Sequence, residues 1–160
     1  MDNISESRLT ALYPPLADDI RKGADMLAAE GITIRVIQGL RTWGEQDVLY
    51  AQGRTIEGHV VTNAKGGESW HNFGLAADVA PFDAMGQPDW NTSHPAWQRI
   101  VDVYTSLGFD CGANWLRLKD TPHIQRVGRF PASPDDEVRM IFREIGMSGV
   151  WAEAFKNEPA

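Results

Sequence analysis

An aspartate stands inside a run of small and aliphatic residues, Leu75-Ala76-Ala77-Asp78-Val79-Ala80, that otherwise reads as a buried β-strand. Side chains alternate along a strand, so Leu75, Ala77 and Val79 face one way and Ala76, Asp78 and Ala80 the other. A carboxylate withdrawn from water among alanines is costly unless a cation meets it. An arginine can play that part, or a divalent metal ion for which the flanking alanines leave space. Upstream, Ser69-Trp70-His71-Asn72-Phe73-Gly74 brings an imidazole seven positions before the aspartate, and Gly74 permits the turn that folds it back. Downstream, Asp120-Thr121-Pro122-His123-Ile124-Gln125 brings a second imidazole and a second carboxylate. Pro122 fixes its own φ and favours extended geometry at Thr121, so His123 and Gln125 share one face of a stiff segment and Ile124 takes the other.

Catalytic zinc ordinarily takes three protein ligands and keeps one position open for water. His71, Asp78 and His123 fill the three, leaving a net charge of about +1 that lowers the bound water toward a pKa of about 7. Asp120, beside a ligating histidine, is then the base that takes the water's proton, which requires partial desolvation to strengthen it. The reverse division, with Asp120 as ligand and Asp78 as base, uses the same residues and stays open at this level. Iron oxygenases use the same residue types, but they place His and Asp one residue apart, whereas six residues separate them here. The single Cys111 excludes an internal disulfide and a cysteine-built zinc site, and it reads as a packed small hydrophobe. No G-x-S-x-G nucleophile motif is present.

Caps and hydrophobic spacing order the expected elements. Ser5 or Ser7 is placed to cap a short helix ending before Pro14-Pro15, and Leu16, Ile20, Ala24, Leu27 and Ala28 mark one face of a second helix, closed by Gly31. Ile32 to Ile37 is β-branched and reads as a strand. Thr42 with Glu45 is a capping-box signature for a helix reaching about Gln52, with Gly53 as its stop. Residues 54–68 read as a long polar loop with room for a short strand at His59 to Thr62. A turn at Asp83 to Gln87 precedes a helix from Pro95 to Leu107, expected to be capped by Ser93 and closed by Gly108. Phe109 to Gln125 reads as irregular to extended, and Ser133-Pro134-Asp135-Asp136-Glu137 opens one last helix within about 134–156. The sum is an α+β fold with a small, mostly antiparallel sheet and helices packed on one side.

The length of 160 residues suits one core, so a single catalytic domain is expected over 1–160, its motifs within about 32–126. A formal charge of -7 argues against a partner recognised through its phosphate backbone, so no nucleic acid is expected. No apolar run approaches the roughly 20 residues of a membrane span. Met1 to Glu6 has neither a basic nor an apolar leader region, so no signal peptide and no membrane insertion are expected. A monomer is expected.

Together, Ser69-x-His71-x-x-Gly74-x-Ala76-x-Asp78 and Asp120-x-Pro122-His123-x-Gln125 resemble the zinc peptidases that include D-alanyl-D-alanine dipeptidases and carboxypeptidases and the L-alanyl-D-glutamate endopeptidases of phages. Gln38-Gly39-Leu40-Arg41-Thr42, followed by Gln46, Leu49-Tyr50 and Gly53-Arg54, is similar to the upstream block of the endopeptidase branch. The resemblance implies a hedgehog/DD-peptidase-like fold, zinc on His71, Asp78 and His123, and Asp120 as the catalytic carboxylate. It also implies that Arg41 polarises the scissile carbonyl or steadies the oxyanion. Many relatives carry Glu at the position of Asp120, the shorter acid being that of the phage branch, and Tyr-Arg-Ser in place of Leu40-Arg41-Thr42. Trp115 aligns with an aromatic near the active-site wall of relatives, although composition alone reads it first as core. Ser69, Trp115 and Gln46 are candidate substrate contacts, while Trp70 and Phe73 read as packing.

The implied substrate is a peptidoglycan stem peptide, cut between L-alanine and D-glutamate by an enzyme of the phage endolysin type. The alternatives are a D-alanyl-D-alanine carboxypeptidase or dipeptidase, and a non-catalytic zinc module of the same fold, against which the retained Asp120 and Arg41 speak. A phage lysin is expected in the host cytoplasm and, after release, in the periplasm and wall. A bacterial enzyme is expected in the cytoplasm.

Overall fold

The strand that carries Asp78 is an interior strand of a four-stranded antiparallel sheet of order β1-β2-β4-β3. The strands are β1 (Ile34–Gln38), β2 (Ala76–Pro81), β3 (Asp110–Cys111) and β4 (His123–Gln125). In this computed structural model residues 1–157 are described. The chain divides into two compact units, Met1–Gly39 with Ala76–Arg126, and Leu40–Leu75 with the chain from Val127 onward. The helices of the first are α1 (Asn3–Leu9), α2 (Pro14–Ala29) and α4 (Pro95–Ser106); those of the second are α3 (Trp43–Ala51), α5 (Asp136–Ile145) and α6 (Met147–Ala154). None of these helices is long and apolar enough to cross a membrane.

In the first unit, α1 and α2 pack on β1, and α4 packs on α2, β2 and β3. Tyr104, fully buried, donates from its hydroxyl to the Ile20 carbonyl at 3.0 Å and so ties α4 to α2. Gly23 completes the buried face of α2, because a Cβ there would come within 2.5 Å of the Tyr104 ring; Ala28, assigned to that face from its spacing, is exposed. β1 is an edge strand, and α1 satisfies its outer side. The Val36 N–H donates to Ser5 Oγ at 3.0 Å, and the Val36 carbonyl accepts from the Arg8 guanidinium at 2.6 Å. Ser5 therefore supports the sheet edge. The cap of α1 is Asp2, whose carboxylate accepts from the Ser5 N–H at 2.8 Å.

Register then places the chemistry. Val36 pairs with Val79, but beyond a bulge at Ile37 it is Gln38 that faces Asp78. On the other side of β2, Ala76, Ala77 and Asp78 face Gln125, Ile124 and His123. β3 places Asp110 opposite Gln125 and Cys111 opposite Ile124. Cys111 is buried, and burial pushes its thiol pKa up, as expected of a packing residue. The cap of α4 is His94, whose Nδ1 accepts from the Ala96 N–H at 3.2 Å. Pro95 opens that helix, so the residue before it is held extended and takes the capping place expected of Ser93.

In the second unit the capping box of Thr42 and Glu45 forms as expected, with the Thr42 N–H donating to Glu45 Oε2 at 2.7 Å. Residues 59–62 form no strand, because no neighbouring strand pairs with them. The loop is held by side chains instead. Arg54 donates to the carbonyls of Tyr50 and Thr62 and to Asn63 Oδ1, and Gly66 N–H donates to Asp47. Trp70 and Phe73 pack as expected: Trp70 stacks on Phe130 and Phe73 meets Trp43 and Phe142 edge-on. The C-terminal segment is two helices, capped at Asp135 and interrupted at Gly146.

Replacing Ser5 by alanine leaves the Val36 N–H at the sheet edge without its acceptor. The expected cost is about 1–3 kcal/mol, read in urea unfolding as a lower midpoint at unchanged slope.

Candidate metal centre

Asp78 and His123 meet because β2 and β4 place them directly opposite one another. His123 Nδ1 lies 3.4 Å from Asp78 Oδ1, with 7% of the His123 side chain and 19% of the Asp78 side chain accessible. Burial alone pushes the His123 pKa down, but the hydrogen bond and charge of Asp78, with help from Gln125 and Asp120, outweigh it and raise the pKa above the ordinary value. The two side chains thus compete for a positive charge placed between them. The spacing also fits a metal: tetrahedral bonds of about 2.1 Å place two ligand atoms about 3.4 Å apart.

Asp120 is set by the turn that precedes β4. Its N–H donates to the Gly112 carbonyl at 3.2 Å, and its carbonyl accepts from the His123 N–H at 3.0 Å. Gly112 permits this approach, since a Cβ there would lie 2.3 Å from the Asp120 carbonyl oxygen. Asp120 is exposed, where the sequence reading required partial desolvation. Asp120 lies outside β4, in the turn before it, where its backbone bonds to Gly112 and His123. Trp115 is half-buried; its indole N–H donates to Asp110 Oδ1 at 2.9 Å and its ring lies 5.2 Å from that of His123.

His71 lies in a 3₁₀ turn, Trp70–Phe73, that ends at Gly74 with φ +66°. That left-handed residue turns the chain directly into β2, as the spacing predicts. His71 is buried, and its carbonyl accepts from the Arg41 N–H at 3.0 Å. The next residue, Asn72, is also buried. It donates from Nδ2 to the Arg41 carbonyl at 2.9 Å and accepts at Oδ1 from the Gly67 N–H at 2.9 Å and the Ser69 N–H at 3.4 Å. Asn72 was missed as a positioning residue; the signal was an amide in the middle of an otherwise packed motif.

Arg41 is half-buried, and its guanidinium donates to Gln46 Oε1 at 2.9 Å. Gln46 is fully buried and donates in turn to the Ala64 carbonyl at 2.9 Å and to Thr62 Oγ1 at 3.4 Å. Its amide is therefore engaged in holding Arg41 and the 62–64 loop. Ser69 is half-buried at the start of the 3₁₀ turn.

Of the three residues able to bind a metal, Asp78 and His123 face one another in the first unit, and the buried His71 belongs to the second. Two imidazoles and one carboxylate are a donor set that suits a borderline-soft divalent ion such as zinc.

Residues 62–126 match the D-alanyl-D-alanine carboxypeptidase family. The peptidoglycan L-alanyl-D-glutamate endopeptidase CwlK of Bacillus subtilis is 39% identical over 119 residues, which cover 68% of this chain and 71% of that protein. The solved L-Ala D-Glu endopeptidase ChiX of Serratia marcescens superposes with a TM-score of 0.53 at 23% identity, covering 78% of this chain and 87% of its own. The D,D-pentapeptidase VanY of a VanB-type vancomycin resistance cassette, solved in complex with Zn(II), superposes with a TM-score of 0.53 at 16% identity, covering 88% of this chain and 83% of its own. Both superpositions support the α+β fold.

A raised His123 pKa means that its proton stabilises the metal-free chain below the unfolded value of about 6.5, and that this contribution is lost as pH rises through the folded value. Unfolding of the metal-free protein, compared with Asp78→Asn over pH 5–9 (about that window by the reference values), should show the parent's advantage shrinking as pH rises. Apparent zinc affinity should rise over the same range, because binding displaces the proton.

Proposed function

The chain belongs to the metallopeptidase family of the D-alanyl-D-alanine carboxypeptidases, and from that membership we propose that it is a zinc-dependent peptidoglycan peptidase that cuts the stem peptide between L-alanine and D-glutamate. The likeness to the Bacillus subtilis endopeptidase carries the choice of bond, since it extends well beyond the residues matched by the family as a whole. The family match over 62–126 favours a second reading, removal of a terminal D-alanine. We further propose that 1–160 acts as one catalytic domain and as a monomer, in the manner of a phage endolysin. The upstream block from Gln38 to Arg54 supports the endolysin reading through its resemblance to that branch.

His71, Asp78 and His123 are the proposed zinc ligands; the ion supplies a Lewis acid and lowers the pKa of a bound water toward about 7. Asp120 would serve as the base, taking a proton from the attacking water as the water's oxygen bonds to the scissile carbonyl carbon. Because Asp120 is exposed in the free chain, the water-poor surroundings that strengthen a carboxylate base come with the bound peptide. Arg41 offers a fixed positive charge to the oxygen that gains negative charge, and Gln46 acts through Arg41 by holding its guanidinium. The carbon–nitrogen bond then breaks, and Asp120 returns its proton to the leaving amine. Ser69 and Trp115 remain candidates for contact with the stem.

Mass spectrometry of products from purified peptidoglycan tests the bond. A released stem beginning with D-glutamate is the expected product, while free D-alanine establishes the carboxypeptidase reading. Asp120→Ala should retain stoichiometric zinc and lose at least about 100-fold in rate. Full activity in that variant removes Asp120 from its role, and a zinc-loaded parent that releases nothing identifies a non-catalytic module.

A further inference from the structure

The proposed ligand His123 is one end of a hydrogen-bonded chain that the reaction does not itself require. His123 Nε2 lies 2.9 Å from Gln125 Oε1, Gln125 Nε2 donates to Asp110 Oδ2 at 3.2 Å, and the Trp115 indole N–H donates to Asp110 Oδ1 at 2.9 Å. His123 and Gln125 are alternate residues of β4, and Asp110 is the cross-strand partner of Gln125 on β3. His123 and Gln125 are both buried.

We propose that Asp110, acting through Gln125 and held by Trp115, fixes the His123 imidazole in the tautomer that leaves Nδ1 able to bind a metal ion. The proposal rests on the reading of His71, Asp78 and His123 as a zinc site. An ionised carboxylate only accepts hydrogen bonds, so the amide nitrogen of Gln125 must be the group turned toward Asp110. The amide oxygen is then turned toward His123, where it also can only accept. Gln125 therefore favours the hydrogen on His123 Nε2, in competition with Asp78, which faces Nδ1 and also only accepts; with the hydrogen on Nε2, Nδ1 of the neutral ring keeps its lone pair.

That nitrogen is the one facing Asp78 at 3.4 Å. With the opposite tautomer, Nδ1–H would donate to Asp78 and close the pair against a metal. The chain decides which of these two states the neutral ring adopts, as outer partners of metal-bound histidines commonly do. Trp115 serves at both ends, fixing one oxygen of Asp110 and lying against the His123 ring. Asp110, Gln125 and Trp115 are thus positioning residues.

Two measurements test this on the full chain: zinc affinity by chelator competition, and the His123 tautomer by ¹⁵N–¹H correlation spectra of zinc-free protein at a pH where the ring is neutral. The parent should bind one zinc and show the Nε2–H tautomer. Asp110→Asn, which lets the Gln125 amide rotate, and Gln125→Leu should each weaken zinc binding about 10-fold or more and admit the Nδ1–H tautomer. In the double variant Asp110→Asn with Gln125→Glu, the introduced carboxylate accepts directly from His123 and the introduced amide donates to it. Zinc affinity should then return to near that of the parent, which a merely structural role does not predict. Unchanged affinity in both single variants, or an Nδ1–H ring in the parent, overturns the proposal. A parent that binds no zinc overturns the metal reading instead, and the tautomer spectra still decide whether the chain of hydrogen bonds sets the ring.

Discussion

Two acceptors, the Asp78 carboxylate and the His123 imidazole, are held opposite one another by the main-chain register of neighbouring strands, and they require a positive charge between them. A proton on the ring meets that need, which is why the His123 pKa is raised despite burial. In the proposed reading a divalent ion meets the same need. The sheet is built to keep this pair in place. Small residues flank Asp78 on an interior strand, a bulge in β1 adjusts the register on one side, and the two-residue β3 supports β4 on the other. α1 covers the edge of β1 with Ser5 and Arg8, so the sheet needs no fifth strand there.

The elements outside the sheet follow a similar logic of local fixation. A loop arginine stabilises developing charge only if its position is set beforehand. Here Arg41 is held through its backbone by His71 and Asn72 and through its guanidinium by Gln46. Gln46 also binds the 62–64 loop, and Arg54 holds that loop to α3. The motif with His71 and the upstream block with Arg41 thus belong to one hydrogen-bonded assembly, which explains why two stretches some 30 residues apart carry one signature.

Much of this was legible in the chain because its causes are local. The capping box at Thr42, the stop at Gly31, the strand around Asp78 and the turn at Gly74 each depend on a few adjacent residues, and each formed where expected. The misses share another character. Ser5 was read as a cap, but its hydroxyl serves a strand 31 positions away. Residues 59–62 have strand-forming side chains and no partner strand. His94 displaced Ser93 because the proline after it, more than its own side chain, selected the capping position. The exposure of Asp120 and the engagement of the Gln46 amide likewise depend on what surrounds them in space.

What the sequence determined by itself was the α+β class, the order of the main elements and the set of side chains able to bind a metal, because periodicity, caps and the disfavoured Asp78 are properties of neighbouring residues. The tertiary structure alone decided which atoms face one another. Strand register set Asp78 against His123 and Asp110 against Gln125, and that pairing selects the nitrogen of His123 that is turned toward the carboxylate. Register depends on hydrogen bonds between segments far apart in the chain, and a shift by one residue would turn every one of these side chains to the opposite face.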